Sequence, residues 1–188
     1  MRKKTLQGMD DDQLLALYSA GEAVAGEILL GRYRPSVLDF FTRRLPAADA
    51  DEQTQLVLEI LSNVPQRTEP LRSTFRSFVF GVARMTLRSY CSRKANGRVF
   101  DPDLDSLMSL DPSLSSQLSE LNRMSWLGTA LETLSLESQM LLELRYGQRL
   151  GYREIAAIYE EPEPTIRRRM QLLKTKLQTM RQRYERRP

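Results

Sequence analysis

LGYREIAAIYEEPEPTIRRRMQLLKTK, residues 150–176, is the stretch from which the fold can be read. Two apolar-periodic segments flank a proline-containing turn. The first, Tyr152 to Tyr159, puts Ile155, Ala156 and Tyr159 on one face. The second opens near Pro164 and repeats Ile166, Met170 and Leu173 at three- and four-residue spacing, the period of a buried helical stripe. Pro162 and Pro164 fit only a turn or a first helical turn, where the missing N–H has no intrahelical partner. The stretch predicts helix, turn, helix, with Arg167, Arg168 and Arg169 at the start of the second helix. Such a helix fits the major groove of duplex DNA, and residues near its N-terminus reach base edges. Arginine there can fork onto guanine or clamp a phosphate. The same spacing also describes a plain helical hairpin with a solvated basic face. Charge favours nucleic acid: from Thr165 onward there are nine basic residues and one acid, Glu185, in a chain whose net charge is only +4. A cationic end on an otherwise acidic body points to a polyanion at that end.

Composition narrows the field. At 188 residues the chain has room for one domain or two small ones. Charged residues make up 28%, glycine is sparse, and no alternating apolar–polar stretch stands out, so the expectation is all-α. No apolar run reaches the length of a membrane span and none resembles a signal peptide. One cysteine, Cys91, excludes an internal disulfide and fits a reducing cytoplasm. The chain has no histidine, which removes the usual general base, the Ser-His and Cys-His nucleophile pairs and most zinc sites. No Gly-rich phosphate loop is present. The expectation is a non-enzyme with no catalytic residue, no metal and no cofactor.

Outward from the opening stretch, the chain falls into blocks. Residues 1–9 read as a flexible tail. Asp10, Asp11 and Asp12 precede an apolar run and suit a helix start, where carboxylates cap free N–H groups. Ala23 to Leu45 is periodic, and Pro35 inside it should break or kink the helix. Asp49, Asp51 and Glu52 form an acidic first turn ahead of Leu56, Val57, Ile60, Leu61 and Val64, which read as a buried stripe. That turn serves either as ordinary capping or, with Gln55, as a protein-docking face. From Leu71 to Arg98 the charge flips to seven basic residues and no acid: Arg72, Arg76, Arg84, Arg88, Arg93, Lys94 and Arg98. Phe80 and Tyr90 interleave with this charge. Backbone-tracking cations plus stacking aromatics are the parts of a single-strand surface, although Phe75 and Phe78 read as core. Residues 96–122 lose periodicity and read as an acidic linker. A second helical unit spans 123–188, with Ser135 as a helix cap and Gly147 as a helix end.

Taken in order, these blocks resemble the bacterial sigma factors of the extracytoplasmic-function group, from about Asp10 to Met180. DADEQTQLVLEIL, residues 49–61, is similar to that group's acidic signature, FRSFVFGVARMTLRSYCSRK to its promoter-melting helix, and the chain from Ala130 to Leu177 to its fourth region. The resemblance implies an all-α fold of two small helical domains, 10–95 and 123–188, with a C-terminal helix-turn-helix. It implies that Asp49, Asp51, Glu52 and Gln55 dock on core RNA polymerase. It assigns Arg72, Arg76, Arg84, Arg88, Arg93 and Lys94 to the melted −10 strand of promoter DNA. It assigns Thr165, Arg167, Arg168 and Gln171 to the −35 element, with Arg169 and Lys174 nearer phosphates. An anti-sigma factor is a possible partner, membrane insertion is not expected, and the linker would thread toward the polymerase active centre. The chain departs from the group's pattern at Phe78, where tryptophan is usual, at Met85, where asparagine is usual, and at Glu160 and Glu161, where glycine and an apolar residue are usual. Two other readings remain open: a dimeric helix-turn-helix regulator on duplex DNA, and an interaction protein that titrates an anti-sigma factor.

Overall fold

A computed structural model describes residues 2–66, 71, 73–95, 99–107 and 126–186. All regular structure among them is helical. Five helices form the first group: α1 (Arg2–Gln7), α2 (Asp11–Ser19), α3 (Ala23–Thr42), α4 (Ala47–Ser62) and α5 (Phe75–Lys94). Four form the second: α6 (Trp126–Glu132), α7 (Leu136–Leu142), α8 (Tyr152–Tyr159) and α9 (Glu163–Glu185). A π-helical turn, Glu143–Gly147, follows α7.

The helix boundaries have local causes. At α2, Asp10 Oδ1 accepts the Gln13 N–H at 2.8 Å, and the Gln13 side chain accepts the Asp10 N–H at 3.1 Å, a reciprocal capping box. Thr74 caps α5 through the Ser77 N–H, and Ser135 caps α7 through the Ser138 N–H, the latter as the sequence predicts. Helix α8 ends where Glu160 turns left-handed at φ 54°, and Pro162 then leads into α9.

The structure differs from the sequence expectation at three places. Residues 2–7, read as part of a loose tail, form α1, and Leu6 is buried. Arg32 holds the following turn by donating to the Gln7 and Met9 carbonyls at 2.8 and 2.7 Å. Pro35 does not break its helix, because α3 runs through it. A mid-helix proline costs about 3 kcal/mol. Leu29 lies before it and Val37, Phe40 and Phe41 after it, all fully buried, and each contributes roughly 1.5–3 kcal/mol only if the helix stays continuous. On α4, Val57 and Leu61 are buried as expected, but Leu56 and Ile60 are 36% and 41% exposed. The apolar pattern there serves two faces, and only one meets the core.

The first core stacks Phe40 on Phe41 and Phe80, and Tyr33 on Phe75, mostly edge-on. The second core gathers Leu136, Met140, Leu141, Leu144, Ile155 and Ile166. The two are continuous, because α8 packs directly against α5.

Candidate nucleic-acid interface

The C-terminal pair α8–α9 is the helix-turn-helix. Ile166, Met170 and Leu173 turn α9 inward. The opposite face of α9 carries Arg168 and Gln171, and Thr165 adjoins it at the helix start; all three are exposed. Arg167 and Lys174 share a flank and are exposed too. Arg167 pairs with Glu163 at 2.5 Å and lies over the Tyr152 ring. Arg169 is on the other flank, half-buried over Tyr159. It pairs with Glu161 at 2.8 Å and approaches Asp103 at 3.7 Å. Glu161, one of the two unusual acids in the turn, is therefore neutralised within the fold.

The acidic turn of α4 divides. Asp51, Glu52 and Gln55 are exposed, and Leu56, Glu59 and Ile60 continue their surface by helical spacing. Asp49 is engaged internally: it accepts the Tyr90 hydroxyl at 2.6 Å, and the Lys94 ammonium lies 4.0 Å away. Sequence reasoning placed Leu56 and Ile60 in the core and so missed an apolar pair bordered by acids.

The basic helix α5 departs furthest from expectation. Phe80 and Tyr90 are buried, so they are core side chains and not stacking platforms. Their backbone spacing puts them on the stripe that meets α3 and α4. Arg93 and Lys94 are exposed at the helix end, and Arg72 falls outside the described residues. Arg76, Arg84 and Arg88 lie together against the second group of helices. Arg76 donates to the Gln148 carbonyl. Arg84 forks onto Glu137, with Nε 3.1 Å from Oε2 and Nη2 3.0 Å from Oε1. Arg88 Nη1 reaches the same Oε1 at 3.1 Å. Glu137 is only 1% exposed.

This cluster is self-consistent electrostatically. Burial pulls the Arg84 pKa down, but the Glu137 bonds and charge outweigh it and leave the pKa raised. The Arg84 guanidinium also stacks 4.2 Å from the Tyr159 ring centre. Burial raises the Tyr159 pKa, and Glu137 adds to the rise; its hydroxyl donates to the Glu137 carbonyl at 3.3 Å. A second acid, Glu143, approaches Arg43 and Arg44 at 3.8 and 3.7 Å and accepts from Gln148 at 3.0 Å. Arg44 is buried, and desolvation lowers its pKa against the pull of Glu143. Glu137 and Glu143 were not singled out as partners for the basic helix from sequence. The available signal was position: Glu137 lies three and four residues before Met140 and Leu141, inside the apolar stripe of its helix, where an acid needs a partner.

Part of the acidic linker is docked at the same junction. The Asp105 and Pro102 carbonyls accept the Leu136 and Glu137 N–H groups at 2.9 and 3.0 Å, and Leu107 is buried. These bonds satisfy the free amides at the start of α7. No group of acids or cysteines among the described residues could hold a metal ion, and no described helix is long and apolar enough to cross a membrane.

Residues 124–177 match the family model for Sigma-70, region 4. The match covers α6 to α8 and the first part of α9, and it supports a sigma-factor role in transcription with DNA binding through the helix-turn-helix. No curated protein matches the chain.

Proposed function

We propose that the chain is a transcription initiation factor of the extracytoplasmic-function sigma type, with no enzymatic activity of its own. The observation that carries this reading is the region 4 match, laid over a helix-turn-helix whose second helix exposes Thr165, Arg168 and Gln171 on one side. In this reading α9 enters the major groove at the −35 element. Arg167, Arg168 and Gln171 face bases, and Lys174 and Arg169 lie nearer phosphates.

The first group of helices supplies the other two activities. The exposed acids Asp51 and Glu52, with Gln55 and the neighbouring Leu56 and Ile60, dock on core RNA polymerase. Asp49 braces that helix through Tyr90. The acid-free helix α5 holds the melted non-template strand at the −10 element through Arg76, Arg84 and Arg88, with Arg72, Arg93 and Lys94 along the backbone. Melting draws on binding energy to unstacked bases, at a few kcal/mol per flipped base. An anti-sigma factor is the natural class of antagonist, and the cytoplasm is the natural place of action.

The test is permanganate reactivity of promoter thymines with core polymerase and the chain present. Wild type should render the start-site region reactive. Arg84→Ala with Arg88→Ala should keep polymerase association and lose most of that reactivity. Undiminished reactivity in the double variant contradicts the assignment of α5.

A further inference from the structure

We infer that Glu163 and Tyr152 are positioning residues that hold Arg167 to read a guanine at the −35 element, and so set base specificity without touching DNA themselves. The inference rests on the assignment of α9 to duplex DNA and adds which donor of that helix reads a base and what orients it.

Arg167 is tied at two points. Glu163, one helical turn earlier, accepts from it through a single carboxylate oxygen: Oε1 lies 2.8 Å from Nε and 2.5 Å from Nη2. The guanidinium carbon of Arg167 lies over the Tyr152 ring, 4.4 Å from its centre. Tyr152 is itself partly buried against the core, and the Arg145 guanidinium lies 4.8 Å from the same ring. Arg145 in turn donates to the Leu150 carbonyl at 2.8 Å. The ring is therefore a packed platform at the start of α8.

The bond pattern decides which donors remain. A guanidinium carries five N–H groups in one plane. Glu163 takes the edge made by Nε and Nη2. The end made by Nη1 and the outer Nη2 N–H stays available, and that fork matches the O6 and N7 acceptors of guanine. Side chains on a helix tilt toward its N-terminus, so Arg167 is directed at the end of α9 that reaches base edges. Its side chain is 58% exposed, which leaves the fork open to a ligand.

An exposed ion pair four residues apart adds little to helix stability. Its effect on recognition comes through charge. Paired with Glu163, Arg167 brings no net charge to the DNA surface, and the carboxylate repels a phosphate that approaches the same guanidinium. The pair suits a neutral base edge and not the backbone. Lys174, exposed on the same flank, has the other role, a phosphate contact.

The test is binding of the full chain with core RNA polymerase to promoter fragments that carry each base in turn through the −35 element, titrated with KCl. Circular dichroism checks folding. Wild type should prefer guanine at one position, and Arg167→Ala should lose that preference. Glu163→Ala should cut discrimination at the same position about fivefold or more and leave the other positions unchanged. It should also steepen the salt dependence by about one unit of slope, as the released Arg167 turns to a phosphate. Tyr152→Leu should lower discrimination there too, and Tyr152→Phe, which keeps the ring, should restore it. Lys174→Ala should instead weaken all sequences alike and reduce the slope by about one. If Tyr152→Leu fails to fold, Glu163→Ala alone decides. A Glu163→Ala profile and slope like wild type, or uniform weakening with the guanine preference intact, refutes the positioning role. A guanine preference that survives Arg167→Ala overturns the base contact. If wild type prefers no base anywhere in the element, the assignment of α9 falls and the inference with it.

Discussion

Glu160 has a non-glycine side chain in the left-handed region, at φ 54° and ψ 33°, where the helix-turn-helix reverses direction. A side chain there crowds the backbone, which is why glycine favours such positions. Glu160→Gly should raise stability by about 0.5–1 kcal/mol, less than the full strain because glycine also loosens the unfolded chain. The urea midpoint should rise with an unchanged slope. The glycine usual at this position in the group that the chain resembles points to such a conformation; the neutralisation of Glu161 by Arg169 is not legible in sequence, because it depends on a side chain eight residues away folding back over Tyr159. Cys91 gives a pH-dependent expectation. It is fully buried, and burial pushes its thiol from 9.0 up to about 12, against a small opposing pull from Arg44. A raised folded pKa favours the folded state by an amount fully present below the unfolded pKa and lost as pH rises through the folded one. Stability should therefore fall between about pH 9 and 12, and Cys91→Ala should flatten the thiol's part of that fall in chemical denaturation measured across the range.

At the scale of single helices, α4 is the clearest test of the polymerase-docking assignment. Its buried face, with Val57 and Leu61, holds the first core, while Asp51, Glu52 and Gln55 point outward beside Leu56 and Ile60. Charge reversal on the exposed face should leave packing intact, since exposed substitutions usually change stability by less than about 0.5 kcal/mol. Asp51→Arg with Glu52→Arg should preserve the melting curve and abolish co-purification with core polymerase. Undiminished co-purification would count against docking through this face. Helix periodicity made α4, α5 and α9 readable, because a stripe at three- and four-residue spacing has one natural meaning. It was less informative where a helix meets two partners at once. Leu56 and Ile60 extend a stripe that only partly enters the core, and Phe80 and Tyr90 sit among arginines yet face inward. Pro35 shows the same limit: local propensity argued for a break, and burial on both sides of it prevailed.

The whole molecule brings together what the sequence keeps far apart. Charge segregation was visible from composition: an acid-free basic helix, an acidic linker and a cationic end. The consequence of that segregation inside one chain was not, because it needs the register between α5 and α7. That register sets Glu137 between Arg84 and Arg88 and Glu143 beside Arg43 and Arg44. Each acid that this register buries thereby meets a counter-charge, as a carboxylate taken out of water requires. The acidic linker reads from composition as a connection able to pack locally; residues 99–107 dock at the junction through the Asp105 and Pro102 carbonyls, a backbone contact whose partner composition does not indicate. The central activity proposed for this chain is to give core RNA polymerase a promoter preference. In vitro transcription with purified core polymerase on a genomic fragment library measures that directly. Discrete new start sites that appear only when the chain is added are the predicted result. Unaltered transcription, together with tight binding of the chain alone to intact duplex as a symmetric dimer, would contradict it.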